Sequence, residues 1–161
     1  MKNCRRCTVV AADVLDQADR VSARRPTFRR ATAYIRTFRR ALKSKRTVCG
    51  IHNYGDVNRF RTTGTRALIS ALGCKHYWLT ETGGLYKFGS FWNKSTKRGC
   101  KTSASCQLKA TKFLFTLARR EKRISRIYDY NWFGATTPRF DAGLVAGGVA
   151  RPAYREIAKH V

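Results

Sequence analysis

Acidic residues are scarce in this sequence. The chain of 161 residues has nine Asp and Glu residues against 34 Lys and Arg, so its net charge is +25 and its isoelectric point is near 10.8. A charge of this size predicts non-specific adhesion to polyanions such as nucleic acid, anionic membrane surfaces or acidic polysaccharide. The alternative is that the densest basic patches, Arg20 to Arg46 and Arg119 to Arg126, are the solvated outer faces of helices.

Long apolar runs are also missing. No stretch approaches the ~20 apolar residues of a membrane span, so no transmembrane segment is expected. The start, Met1 to Cys7, lacks the apolar run of a signal peptide, so no export signal is expected there. No Gly-x-Gly-x-x-Gly follows the first predicted strand, so a dinucleotide site has no support and no cofactor is expected. With 43% hydrophobic and 12% aromatic residues, the composition predicts one globular domain over residues 1–161.

The six cysteines suggest disulfides more than a metal site. Cys4 and Cys7 have zinc-ribbon spacing, but no second Cys-x-x-Cys completes four ligands, and no metal is predicted. Cys100 and Cys106 flank five polar residues, which predicts a disulfide with Cα atoms within ~7 Å, as suits an oxidising compartment. Cys49 and Cys74 have apolar neighbours and are predicted to be unpaired core residues.

Strand and helix patterns alternate four times along the chain. Strands are predicted at 8–12, 48–52, 76–81 and 124–132, and helices at 27–45, 66–72, 107–122 and 151–161. Thr27 or Ser22 is a candidate cap for the first helix, and a long polar loop from Tyr86 to Ser105 carries Phe88, Phe91 and Trp92. The alternation predicts an α/β fold with a parallel sheet, either half of a (β/α)₈ barrel or an open doubly wound sheet.

The candidate functional residues follow the ends of the predicted strands, where α/β proteins bind their ligands. Glu81, one of three glutamates, ends the third strand before Gly83 and Gly84 and is a candidate acid, base or nucleophile. The alternative is a carboxylate that pairs with a nearby arginine and only solubilises a loop. The other strand-end candidates are Asp13, Asp16, His52, Asn53, Tyr54, Asn58 and Trp132. A carboxylate beside His, Tyr and Trp suits sugar chemistry, because the carboxylate can attack an oxocarbenium-like centre while an indole stacks on the ring.

The order of these motifs resembles a known family. The segments are His52-Asn53-Tyr54, Trp78 to Gly84, Tyr130-Asn131-Trp132-Phe133, Phe140 to Val145 and Arg151-Pro152-Ala153-Tyr154. Their order and spacing resemble the second half of the clan A retaining glycoside hydrolases, which are TIM barrels, and most closely the secreted glycosidase-like barrels of actinobacteria. The resemblance covers the chain from about Cys4 to Val161.

The resemblance implies specific roles. Glu81 matches the nucleophile at the end of strand seven, His52 and Tyr54 match positions after strand six, and Trp132 matches the tryptophan after strand eight. The four βα units then correspond to strands five to eight of the barrel. Asn53, Asn58, Asp13 and Trp132 are expected to bind a carbohydrate substrate, and Tyr54 is expected within hydrogen-bonding reach of Glu81.

The sequence departs from the family at the general acid/base. The family carries this Glu after an Asn at the end of strand four, and the chain has neither that strand nor an Asn-Glu pair. The resemblance therefore implies a glycosidase-like half barrel that is inactive unless a second half supplies the acid. Two further hypotheses stay open: a basic protein that binds nucleic acid or acidic glycan without catalysis, and a structural remnant.

Overall fold

A computed structural model describes residues 7–20, 24–41, 48–89, 100–134 and 139–161. Its centre is a four-stranded parallel sheet in the order β1-β2-β3-β4, with strands Val10–Leu15, Val48–His52, His76–Thr82 and Ile124–Asp129. The helices are α1 (Arg29–Ala41), α2 (Tyr54–Val57), α3 (Thr63–Leu72), α4 (Ser103–Arg120) and α5 (Pro152–Ile157). A parallel sheet alternating with helices is thus confirmed, and it is consistent with half of an α/β barrel.

The boundaries differ from the sequence prediction at several points. β1 starts two residues later than predicted, and β4 ends at Asp129 instead of residue 132. α2 was not predicted, because a four-residue helix is too short to show a helical period. A small hairpin, β5 (Val145–Ala146) and β6 (Val149–Ala150), was also missed. Its turn is Gly147-Gly148, both with positive φ, which is a known hairpin signal.

The main core lies between one face of the sheet and helices α1, α3 and α4. Ile51, Tyr77 and Leu79 of the strands pack in one buried cluster with helical residues such as Ile35 and Leu114. α3 ends at Gly73, which adopts φ 64° and donates its N–H to the carbonyl of Ile69, so the predicted glycine stop is confirmed.

The other face of the sheet carries polar and aromatic side chains. The guanidinium of Arg126 lies 4.6 Å from the ring centre of Trp78, and Tyr128 is 44% exposed beside it. Gly50 lies on this face between Asp13 and Thr80, and a Cβ there would come within 2.9 Å of both side chains. The absence of a side chain at Gly50 therefore lets Asp13 and Thr80 meet across β2, where they form a hydrogen bond.

Two disulfides are present among the described residues, and one corrects a sequence prediction. Cys100 and Cys106 are paired, with Cα atoms 5.1 Å apart, as predicted. Cys49 and Cys74, predicted to be unpaired core residues, form a second disulfide with Cα atoms 6.1 Å apart. Parallel pairing of β2 with β3 brings them together, since Cys49 is level with Tyr77 and Cys74 lies two residues before the start of β3.

Some predictions fall outside the described residues. These include Cys4, Ser22, Phe91 and Trp92, together with part of the Arg20 to Arg46 patch. The predicted cap of α1 by Thr27 is wrong: the N–H groups of Arg29 and Arg30 donate to the carboxylate of Asp19, and the Thr27 hydroxyl donates to the same carboxylate. Among the described helices, none has the length and apolar character needed to cross a membrane.

Candidate functional site at the carboxyl ends of the strands

A cleft opens where β1, β2 and β3 end. It encloses a cavity of about 540 Å³, whose wall includes His52, Tyr54, Arg61, Glu81 and Phe140. Register explains the convergence, because His52 is level with both Leu15 on β1 and Glu81 on β3. Five sequence-predicted residues therefore line one cavity: Asp16, His52, Tyr54, Asn58 and Glu81.

Glu81 is held from two sides. The Tyr54 hydroxyl donates to its Oε1 at 3.2 Å, and His52 Nδ1 lies 3.5 Å from its Oε2. The predicted contact between Tyr54 and Glu81 is thus present. Since 36% of the Glu81 side chain is exposed, the carboxylate is oriented by these partners and still open to the cleft.

Tyr54 is placed by the short helix α2. The buried carboxylate of Asp16 accepts the N–H groups of Gly55 and Asp56, and so holds the first turn of that helix against the end of β1. The Tyr54 ring packs edge-on against Phe140 at 5.8 Å. Burial, and then the negative charge of Glu81, raise the pKa of Tyr54 above its ordinary value. The phenol therefore stays protonated and donates to the carboxylate.

His52 connects Glu81 to Asp13. Its Nε2 lies 2.8 Å from Asp13 Oδ1, and Asp13 also accepts the hydroxyl of Thr80. The imidazole thus lies between two carboxylates. Asp13, predicted to bind substrate, is not among the residues that line the cavity, and its side chain contacts His52 and Thr80.

Both predicted asparagines serve the scaffold. Asn53 is completely buried, accepts the Thr82 hydroxyl and faces Thr65 Oγ1 at 3.5 Å. Asn58 donates to the carbonyls of Tyr54 and Gly83 and accepts the N–H of Leu85. Their amides connect the segments after β2 and β3 to each other. Asn53 is out of reach of a ligand in the cleft, whereas Asn58 lines the cavity as well.

Trp132 does not share the cavity with Glu81, contrary to the sequence prediction. β4 ends at Asp129, so Trp132 lies three residues beyond the strand and packs edge-on against Tyr154 of α5 at 5.5 Å. The indole is 53% exposed on the side near α5. The aromatic part of the cavity wall comes instead from Tyr54, Phe88 and Phe140.

Asp129 is a residue that sequence reasoning missed. It ends β4 level with Thr82, and neither carboxyl oxygen has a hydrogen-bond partner. Burial raises the pKa of Asp129 to about 7, and its charge contributes to the raised pKa of Tyr54. The sequence signal was its place between Tyr128 and Tyr130 at a strand end, but burial is not visible in such a pattern.

Comparison with protein-family models, with curated proteins and with solved structures finds no match to this chain. Within the described ranges, no group of three or more His, Cys, Asp or Glu side chains is arranged to hold a metal ion. Any function assigned to the cleft therefore depends on its own geometry.

Proposed function

We propose that the cleft is a glycoside hydrolase-like site in which Glu81 is the equivalent of a retaining nucleophile. The four βα units would then correspond to strands five to eight of a TIM barrel, and the ligand would be a carbohydrate. The observation that carries the proposal is the carboxylate of Glu81, oriented by Tyr54 at 3.2 Å and faced by His52 at 3.5 Å at the edge of an open cavity.

The geometry suits attack on an anomeric carbon. A retaining nucleophile must be ionised and must present one oxygen to the sugar, while the bond to the leaving oxygen breaks. Tyr54 and His52 each face a different oxygen of Glu81, which limits rotation of the carboxylate. Phe88 and Phe140 provide apolar wall against which a sugar ring can lie.

Among the described residues, neither of the other two glutamates nor Asp16 is in a position to protonate the leaving group. Retaining enzymes place their two carboxyls ~5–5.5 Å apart. Glu121 is paired with Arg123, and Glu156 with Lys159, both at the ends of helices. Asp16 lines the cavity and burial raises its pKa well above the ordinary value, as a general acid needs, but each of its oxygens accepts a backbone N–H group and so is not available to a leaving group. In our proposal a complementing half barrel, carrying an Asn-Glu strand end, supplies the acid.

Activated substrates test the nucleophile without that half. A dinitrophenolate leaving group departs without protonation, so a 2-deoxy-2-fluoro glycoside bearing it needs only the attacking carboxylate. We expect the chain alone to gain the mass of one fluorosugar on incubation with a matching member of a panel of such glycosides. Peptide mapping by mass spectrometry should place the ester on Glu81, whereas ordinary aryl glycosides should be hydrolysed at background rates.

Two variants test whether the label is specific to Glu81. Glu81→Gln should abolish the adduct, while the matched control Glu121→Gln, at the carboxyl end of α4, should leave it intact. Absence of an adduct across gluco-, galacto-, manno- and xylo-configured reagents, or an ester on another residue, would contradict the assignment of Glu81.

A further inference from the structure

Helix α1 presents a solvent face composed largely of arginine. The described residues from 24 to 41 include seven arginines, all exposed: Arg24, Arg25, Arg29, Arg30, Arg36, Arg39 and Arg40. This segment contains no lysine and no acidic residue. Five of them, Arg29, Arg30, Arg36, Arg39 and Arg40, belong to α1, and Arg24 and Arg25 precede it.

Three of these arginines form a stripe. At 100° per residue, Arg29, Arg36 and Arg40 fall within about 40° of one another, and they span about 16 Å of the helix axis. Arg30 and Thr37 flank the stripe on one side, and Arg39 lies on the other. Arg39 is partly engaged, because its guanidinium donates to the carbonyl of Ala71 on α3.

The stripe is not neutralised within the described part of the chain. None of the seven arginine side chains there forms an ion pair with a carboxylate. Asp19 lies at the start of the helix, but its carboxylate accepts backbone N–H groups and the Thr27 hydroxyl. Unpaired like charges on one helix face repel one another, so a bound polyanion would reduce the electrostatic repulsion within the folded chain.

The apolar side of α1 is already used by the fold. Ile35 is completely buried and belongs to the main core, against which Ala31 and Phe38 also pack. An interfacial membrane helix needs an apolar face to insert among lipids. Because that face of α1 is covered, a lipid surface is a poor fit for the helix.

We propose that the arginine face of α1 is a nucleic-acid-binding surface, a role that does not depend on the cleft. The guanidinium fork matches phosphate oxygens in a bidentate manner, and its planar group stacks on bases, neither of which lysine does as well. Tyr34 lies one turn from Arg30, about 40° farther round the helix from the stripe, and is 59% exposed, so it offers a ring on which an unstacked base can pack. A sulfated glycan has no such base, and single-stranded nucleic acid is therefore the partner that uses both features.

Fluorescence anisotropy with a labelled single-stranded 20-mer tests the surface. The variant R29Q/R36Q/R40Q should bind at least tenfold more weakly than the parent chain at 100 mM salt. Its slope of log K against log salt should fall by roughly two units, because each lost phosphate contact contributes ~0.7 for a single strand. The matched control R120Q/K122Q/R155Q removes the same charge from exposed side chains elsewhere and should change affinity less than threefold.

Tyr34→Ala separates nucleic acid from other polyanions. It should weaken binding of the single strand several-fold and leave heparin binding and phosphatidylserine vesicle binding unchanged. Equal losses in the α1 and control triples would show diffuse charge attraction and overturn the proposal. A Tyr34→Ala variant with unchanged affinity for the single strand, or preferential binding of heparin or vesicles, would overturn the choice of partner. Circular dichroism of each variant verifies that α1 is still folded.

Discussion

At the residue scale, a series of polar contacts connects residues outside the cavity with Glu81 in the cavity wall. Thr80 contacts Asp13, Asp13 contacts His52, and His52 and Tyr54 each face one oxygen of Glu81. Among these residues, Tyr54 can lose its hydroxyl oxygen with the least disturbance of packing, because its ring packs on Phe140 whether or not the hydroxyl is present.

Tyr54→Phe should slow labelling of Glu81 by the matching fluorosugar reagent. A hydrogen bond to a charged group is worth about 1.5–3 kcal/mol, and loss of it lets the carboxylate rotate away from the position for attack, so we expect a decrease of roughly tenfold or more. The rate of mass increase measures the effect. Tyr34→Phe, at an exposed tyrosine on α1, is the control and should label like the parent. An unchanged rate for Tyr54→Phe would remove Tyr54 from the site's function.

Asp129 makes stability depend on pH. An unfolded aspartate ionises near pH 4, whereas burial raises the pKa of Asp129 to about 7 in the folded state. The folded state is therefore favoured fully below about pH 4, and this contribution is lost as the pH rises to about 7. Asp129→Asn removes the titration and should equal the parent at pH 4 but exceed it at pH 8, by at most about 4 kcal/mol.

Urea unfolding at both pH values measures this difference. Asp19→Asn is the control of opposite sign, because the N–H of Arg30 and the Thr27 hydroxyl hold the pKa of Asp19 below its ordinary value. That variant should be less stable than the parent at both pH 4 and pH 8, because the stabilisation from a lowered pKa is present above the unfolded value near 4 and is lost only at lower pH. A difference between Asp129→Asn and the parent that does not vary with pH would show that the carboxyl is solvated in solution.

At the scale of elements, the register of the parallel strands determines where most residues of the site lie. β2 and β3 are joined both by their ladder and by the disulfide between Cys49 and Cys74, which closes a loop with a sequence separation of 25. That loop includes α2 and α3, so the disulfide restricts the segment from which Tyr54 reaches Glu81.

The double variant Cys49→Ala/Cys74→Ala should lower the free energy of unfolding by about 3 kcal/mol, the usual effect of opening a loop of this length. Denaturant unfolding under non-reducing conditions measures it. Cys100→Ala/Cys106→Ala, which opens a much shorter loop, should cost less. A parent chain that reacts with thiol reagents at Cys49 without denaturant would contradict the pairing.

At the scale of the whole molecule, the sheet has two outer strands, β1 and β4, and a second face that carries Trp78, Arg126 and Tyr128. Unpaired strand edges pair readily with other chains. The net charge of +25 opposes this at low salt, because like-charged copies repel one another.

We therefore expect the chain to self-associate as salt screens its charge. Size-exclusion chromatography with light scattering should show a larger mass at 0.5 M than at 0.05 M sodium chloride. A monomer at both salt concentrations, with a cooperative thermal transition, would show that the edges and the second face are stable without a partner.

The sequence by itself determined the alternation of strands and helices, the glycine stop after α3 and the meeting of His52, Tyr54 and Glu81. These follow from local periodicity and from one rule, that the carboxyl ends of neighbouring parallel strands lie together. Whether the sheet is truly half of a TIM barrel stays a prediction. Only the tertiary structure decided that Asn53 and Asn58 connect the segments after β2 and β3, that Trp132 packs on α5, that Cys49 pairs with Cys74 and that the carboxyl oxygens of Asp129 are buried without a hydrogen-bond partner. Each of these depends on which distant segments pack together, and the residue types near a position in the chain do not encode that packing.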